Sequence, residues 1–212
     1  MKEFLFLLAS ISKGSSITRG ILNFHLKGTM LKGKILDLGS GGQDLYSKYI
    51  PHEAGSTFEL LDIKQGSSIN FESDTLPFDT KSYDVILLLN VLEHLFNYNN
   101  LLKEIYRIKK EDGTLIGFVP FLMWYHPDHH DFFRYTHEAL DQILKDVGYK
   151  EISIKTFYKG PYSAAFQMIY PTLPRFLRPI IFSINYFMDF GFSLFRAESA
   201  KRYALGYYFT AR

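Results

Sequence analysis

The chain has 212 residues, 47% of them apolar and 22% charged, which is enough for one domain with a full hydrophobic core. A formal charge of +2 without a long basic stripe argues against nucleic acid as a partner. The absence of cysteine removes disulfides, thiolate catalysis and cysteine-ligated zinc, and it suits a cytoplasmic location.

Residues 1–33 predict one or two helices around a loop at Gly14-Ser-Ser16. The apolar run 4–9 imitates a signal peptide, but it is shorter than an h-region and Glu3 precedes it, so an amphipathic helix packed over the domain is expected. No uninterrupted apolar run reaches bilayer length. Residues 34–38 read as a first strand that runs into Gly39, Gly41 and Gly42, where the backbone can turn sharply and approach a ligand without a Cβ. Residues 44–50 read as the first turns of a helix whose N-terminus would face that ligand. A second apolar run, 58–63, contains Asp62 near its end, and the helix-length segment before it makes the pair a parallel β-α-β crossover. Residues 68–71 give a short third strand. Residues 83–89 are nearly all apolar, as a central strand covered on both faces should be.

Leu101, Leu102, Ile105 and Ile108 recur at helical spacing over 99–110, stopping at Asp112-Gly113, and 114–119 form a fifth strand. Thr136 reads as an N-cap, Leu140, Ile143, Leu144 and Val147 as one apolar face, and Gly148 as the stop. Residues 151–158 and 204–211 are the sixth and seventh strands. This alternation predicts a doubly wound, Rossmann-like α/β sheet of seven strands with helices on both faces. The whole chain reads as one domain: a helical cap over 1–33, a core over 34–158, an insertion over 159–200 and a final strand within 201–212. The insertion is rich in aromatics and carries Pro161, Pro171, Pro174 and Pro179.

A dinucleotide site would want a third glycine where Asp44 stands, which disfavours a nicotinamide enzyme. What is left is Asp37-x-Gly39-x-Gly41-Gly42 and a second acid, Asp62. An acid at that strand end accepts both hydroxyls of a ribose, and Asp37 is placed to hold, directly or through water, the ammonium group of an amino-acid tail.

The segments Ile35-Leu-Asp-Leu-Gly-Ser-Gly41, Asp62, Leu76-Pro-Phe78, Tyr83-Asp-Val-Ile86, Asn90-Val-Leu-Glu-His-Leu95 and Asp112-Gly-Thr-Leu115 together resemble class I S-adenosylmethionine-dependent methyltransferases. The resemblance covers roughly residues 30 to 158 and is to the type 11 domain of the ubiquinone and menaquinone methylase-related subgroup. It implies S-adenosylmethionine as cofactor and a last strand that runs antiparallel. By position it implies that Gly39, Ser40 and Gly41 line the methionine part and that Asp62 and Ile63 meet the ribose. Asn70, beside Phe71, stands where an acid usually meets adenine, and Asp74 competes for that role. Asn90, Val91 and Leu92 would border the sulfonium. His94 is either a base or a cofactor-lining, structural residue.

Residues 120–136 are the candidate acceptor loop. His126, Asp131, Arg134, Tyr135 and Thr136 match a branch of the family associated with polysaccharide and cell-surface glycan pathways. The match implies O-methylation of a sugar, a lipid-linked glycan or another small-molecule hydroxyl. His126 or His129 would be the general base, Asp131 would orient an imidazole, and Arg134 would bind an anionic group. Against this, Asp131 and Arg134 read equally well as a structural ion pair. His126, His129, His130 and Asp131 also invite a metal reading, but adjacent histidines point in different directions and no second ligand cluster is evident, so no metal is expected. Tyr106-x-x-x-Lys110 imitates a reductase pair but lies on the helix before the fifth strand, far from the ligand edge. In 159–200, Arg175 and Arg178 precede a greasy run, which fits a helix on an anionic membrane surface at the inner face, or else a lid or a homodimer contact. A non-catalytic cofactor-binding or scaffold protein on the same fold is the alternative of a different class, kept open by Gln43 and Asn70.

Overall fold

The computed structural model describes residues 1–39, 46, 50–62, 69–127 and 130–212. Helices α1 (Lys2–Ser12) and α2 (Ile17–Leu26) precede strand β1 (Lys34–Leu38). The Ser16 hydroxyl caps α2 by accepting the Arg19 amide at 3.2 Å. Then come β2 (Thr57–Leu61), β3 (Tyr83–Leu89), α3 (Tyr98–Ile108), β4 (Lys109–Pro120), α4 (His137–Val147), β5 (Ile152–Tyr158), α5 (Pro161–Ile169), α6 (Arg178–Ala200) and β6 (Ala204–Ala211).

The strands form one sheet in the order β2-β1-β3-β4-β6-β5. β1 to β4 are parallel, and β6 is antiparallel to both of its neighbours, as expected for the last strand. Period-two alternation assigns each strand residue to a face. Leu36, Leu38, Ile86 and Leu88 enter the core beneath α3 and α4, whereas Ile35, Val85, Leu87 and Leu89 enter the core beneath α1, α2, α5 and α6. Helices therefore cover both faces, and the apolar run of β3 is explained by burial on both sides.

Six strands, not seven, are present among the described residues. The expected third strand at 68–71 begins on a residue outside that set, and 69–71 carry no ladder. There the Asn70 side-chain oxygen accepts the Glu72 amide at 2.9 Å, while the Asn70 amide donates to Asp74 at 2.8 Å. Local side-chain bonds of this kind compete with strand pairing and close a turn instead. β4 also starts five residues earlier than expected. Lys109 pairs with Tyr83 and Thr114 with Val85, so residues 110–113 bulge out of the ladder. Of the helix expected over 44–50, only Tyr46 and Ile50 are described, and both are buried.

Parallel strands bring β1, β2 and β3 to a common C-terminal edge, with Leu38 opposite both Leu61 and Leu88. β2 and β3 leave β1 on opposite sides, so a crevice opens at this edge, where ligands of such sheets bind. The α5–α6 insertion lies on the α1 side. Phe4 packs against Phe182 and Tyr186, and the buried Asp189 of α6 accepts the Tyr162 and Ser163 amides at 3.0 and 2.7 Å, capping α5 from outside.

Candidate active site

The site grows from the end of β1. Gly39 has φ +76° and donates its amide to the Leu61 carbonyl at 2.9 Å, tying the ends of β1 and β2 together. A Cβ on Gly39 would stand 2.5 Å from Val91 Cγ2, so both the conformation and the space demand glycine. Asp37 and Asp62, the last acids of β1 and of the β2 edge, are 3% and 6% exposed.

At the end of β3 the chain reverses through Asn90, which has φ +58° and donates its amide to the Phe118 carbonyl at 2.9 Å. Its side-chain amide donates to the Tyr46 hydroxyl at 2.8 Å. Burial pushes the Tyr46 phenol up to about 12, so it stays protonated. Tyr46 was not among the expected site residues, because only the tertiary contact places it beside Asn90.

Residues Leu92–His94 then form one turn of 3-10 helix, and the loop after β4 folds down onto it. The Phe132 amide donates to the Glu93 carbonyl at 2.8 Å, and the Tyr135 hydroxyl to the Leu92 carbonyl at 3.1 Å. His94 Nδ1 lies 2.6 Å from the His130 carbonyl, and the His94 and His126 rings meet edge to face at 5.4 Å. His126 Nδ1 lies 3.0 Å from the Trp124 carbonyl. Arg134 Nη2, 3.4 Å away, has only two hydrogens, which point to Asp131 Oδ2 at 2.7 Å and the Trp124 carbonyl at 3.2 Å. His126 Nδ1 therefore carries the proton, and Nε2 carries the lone pair.

Asp131 and Arg134 form a bidentate pair in which the Asp131 side chain is 1% exposed. Burial raises the carboxyl, but the Arg134 hydrogen bonds, the His126 amide at 3.0 Å and the guanidinium charge outweigh it and hold Asp131 at about 2. Arg134 donates in addition to the Phe133 and Trp124 carbonyls, so these donors are engaged within the loop. Glu93, in contrast, is fully buried, and neither of its carboxylate oxygens has a hydrogen-bond partner among the described residues. Burial pushes it up to about 8. His94 Nε2 stands 3.7 Å from Glu93 Oε1.

The expected residues thus separate into three groups. Gly39, Asp37, Asp62, Asn90, Val91, His94, His126, Asp131 and Arg134 lie at the sheet edge or on the loop clamped to it. Asn70 is exposed and spends its side-chain oxygen on the Glu72 amide, and Phe71 is 1% exposed within the hydrophobic core, so its ring packs there instead of lining an open cleft. Ser40, Gly41, Gln43, Asp44, Ile63 and His129 lie outside the described residues. Glu93 is the residue that sequence reasoning undervalued. Its only signal was adjacency to His94.

Buried carboxylates on neighbouring strand ends, beside a glycine with no room for a Cβ, fit a ligand with ribose hydroxyls and an amino-acid ammonium. Sheet order and strand directions, with this edge, define a methyltransferase-type α/β fold. Residues 36–117 match the family model described as Methyltransferase domain. The match spans 82 of the chain's 212 residues. No curated protein matches the sequence. Among solved structures, a SAM-dependent methyltransferase from Archaeoglobus fulgidus is 17% identical, with 98% of each chain covered and a TM-score of 0.52. A chain of the Haloferax volcanii complex between the Trm112 methyltransferase activator and a methyltransferase is 14% identical, covering 97% of this chain and 96% of that one at TM-score 0.52. The [4+2]-cyclase SpnF is 14% identical, with 92% and 81% covered and a TM-score of 0.51. At such identities the likeness shows the fold alone.

Proposed function

We propose that the protein methylates a hydroxyl of a small-molecule acceptor, a sugar or a lipid-linked glycan, using S-adenosylmethionine. The observation that carries this is the pairing, at one sheet edge, of buried nucleoside-type acids with an imidazole whose tautomer is fixed. When bound, S-adenosylmethionine supplies an electrophilic methyl carbon on a sulfonium, so transfer to oxygen leaves a neutral thioether and sets one proton free. Asp62 holds the ribose hydroxyls and Asp37 the ammonium group. His126 Nε2 takes the acceptor's proton, because Nδ1 keeps its own against the Trp124 carbonyl. Asp131 and Arg134 act as positioning residues that hold the loop and, through it, His126. Val91, locked over Gly39, borders the methyl group.

Calorimetry with S-adenosylhomocysteine is the test. Binding by the folded protein and its loss in Asp62→Ala are expected; no heat at millimolar ligand would sink the proposal. A non-catalytic cofactor-binding protein predicts binding but no turnover of any hydroxyl acceptor and an inert His126→Ala.

The lipid-linked acceptor draws support from α6. Ile180, Ile184, Phe187, Phe190, Leu194 and Phe195 are all more than half exposed along it. Arg175, Arg196 and Arg202 are exposed around its ends, while the exposed acid Glu198 is paired with Lys201 at 2.7 Å. A greasy stripe flanked by cations matches an anionic lipid surface. No helix among the described residues is long and apolar enough to cross a membrane. Sedimentation with anionic but not zwitterionic vesicles is expected, and Phe187→Glu with Phe195→Glu should abolish it. A concentration-dependent dimer lost in the same variant, without vesicle binding, would replace the membrane by a second copy.

A further inference from the structure

The turn at the end of β3 and the loop after β4 bring three side chains together that no single sequence segment contains. Glu93, His94 and His126 each offer one ligand atom, and these atoms lie within 4.8 Å of one another. Bonds of about 2.0–2.2 Å to a first-row divalent ion place ligand atoms roughly 3–4 Å apart, so small rotations of these side chains would close the set. Glu93 adds an independent sign. A fully buried carboxylate that no other described residue hydrogen-bonds, though its own backbone amide favours its charge, is costly to keep in a fold unless something else meets it.

The imidazoles are prepared in the manner of metal ligands. His94 Nδ1 faces the His130 carbonyl at 2.6 Å, and His126 Nδ1 faces the Trp124 carbonyl at 3.0 Å. A backbone carbonyl on Nδ1 fixes the tautomer and makes Nε2 the lone-pair nitrogen, which is the usual outer-shell arrangement of a ligating histidine. The second ligand cluster that the sequence lacked near His126 is therefore the Glu93-His94 pair, delivered from another strand.

We propose that Glu93, His94 and His126 bind one first-row divalent cation at the mouth of the methyl-transfer site. One carboxylate and two imidazoles suit Mn²⁺, Fe²⁺, Co²⁺ or Zn²⁺, and three protein ligands leave positions open for an oxygen of the acceptor. This rests on the reading of the cluster as the acceptor end of the site. With the cation in place His126 Nε2 is a ligand and gives up the base role it has in the cation-free site; the cation then polarises the acceptor hydroxyl, whose proton passes to solvent.

The experiment uses the tag-free full chain, stripped with EDTA and dialysed, then titrated with CoCl2 followed by visible absorption and with MnCl2 followed by electron paramagnetic resonance of the free ion. S-adenosylhomocysteine calorimetry runs on the same samples. One cation per chain is expected. Glu93→Gln and His126→Ala should each weaken it at least tenfold while keeping the melting temperature and the S-adenosylhomocysteine affinity. Absence of saturable binding, or equal binding by both variants, overturns the cation site. Should Glu93→Gln fail to fold, His94→Gln decides in its place. Cation binding without S-adenosylhomocysteine binding leaves the site standing and overturns the methyl-transfer reading instead.

Discussion

Replacing Asp131 by Asn tests how the loop after β4 is held. The substitution keeps the shape but removes the charge that Arg134 grips with two nitrogens, Nη1 donating to Oδ1 at 2.5 Å and Nη2 to Oδ2 at 2.7 Å. Asp131 sits at about 2 instead of 3.8, so its ionised form is stabilised in the fold by about 2 kcal/mol. Truncating one partner of a buried pair costs about 3–5 kcal/mol, but the Arg134 side chain is 25% exposed and water relieves part of the penalty. A loss of about 2–3 kcal/mol is expected, or roughly 5–10 °C in melting temperature for a chain of this size. A carboxyl depressed in the fold contributes stability that is complete above its unfolded value near 4 and vanishes as pH falls through the folded value near 2. The gap between the wild-type protein and Asp131→Asn, read by urea denaturation in EDTA, should therefore close between about pH 4 and pH 2. A gap below half a kcal/mol at pH 7, or one that fails to close as pH falls from 4 to 2, would refute the buried-pair account. S-adenosylhomocysteine binding should survive, since Asp131 touches the loop and not the ends of β1 and β2, whereas methyl transfer should fall.

Gly39→Ala meets both a left-handed backbone at φ +76° and the Val91 side chain, and should cost about 2–4 kcal/mol along with S-adenosylhomocysteine affinity. Adding Val91→Ala should recover the steric part but not the backbone part, and no recovery at all in thermal melts would show that the contact is misjudged. Asp189→Ala strips the acceptor from two amides at the start of α5 and should destabilise by about 2 kcal/mol. Hydrogen exchange should show the loss concentrated in α5, and a uniform change across the sheet would contradict it.

Much of the fold was legible because burial on both faces of a parallel sheet leaves a run such as residues 83–89 little choice, and because caps such as Thr136 and Gly148 act within one turn of chain. The expected third strand is absent among the described residues for a physical reason. Ile69 and Phe71 carry strand-like apolar character, but Asn70 and Asp74 exchange bonds with the backbone and win over pairing at the sheet's edge. β4 was cut short because residues 110–113 look like a turn, and they are in fact a bulge inside a longer strand. That Asp37, Gly39 and Asp62 stand at the C-terminal ends of β1 and β2 was legible because it follows from the strand pattern alone.

Glu93 was not legible, and the reason bears on function. A Glu-His pair after a strand looks the same whether its carboxylate faces water or the protein interior. What buries Glu93 is the loop after β4, held down by the Phe132 amide on the Glu93 carbonyl and the Tyr135 hydroxyl on the Leu92 carbonyl. That loop in turn keeps its shape because Arg134 binds Asp131 and the Trp124 carbonyl, the same carbonyl that sets the tautomer of His126. Charge pairing, burial of Glu93 and the direction of the His126 lone pair are thus consequences of a single clamp. A variant such as Tyr135→Phe, which removes one bond of that clamp and no ionisable side chain of the cluster, should loosen all three together. It should lower methyl transfer and cation affinity in parallel, by about threefold to tenfold if the lost hydrogen bond is worth about 1 kcal/mol. Independent responses of the two readouts would mean that loop and turn are not one unit.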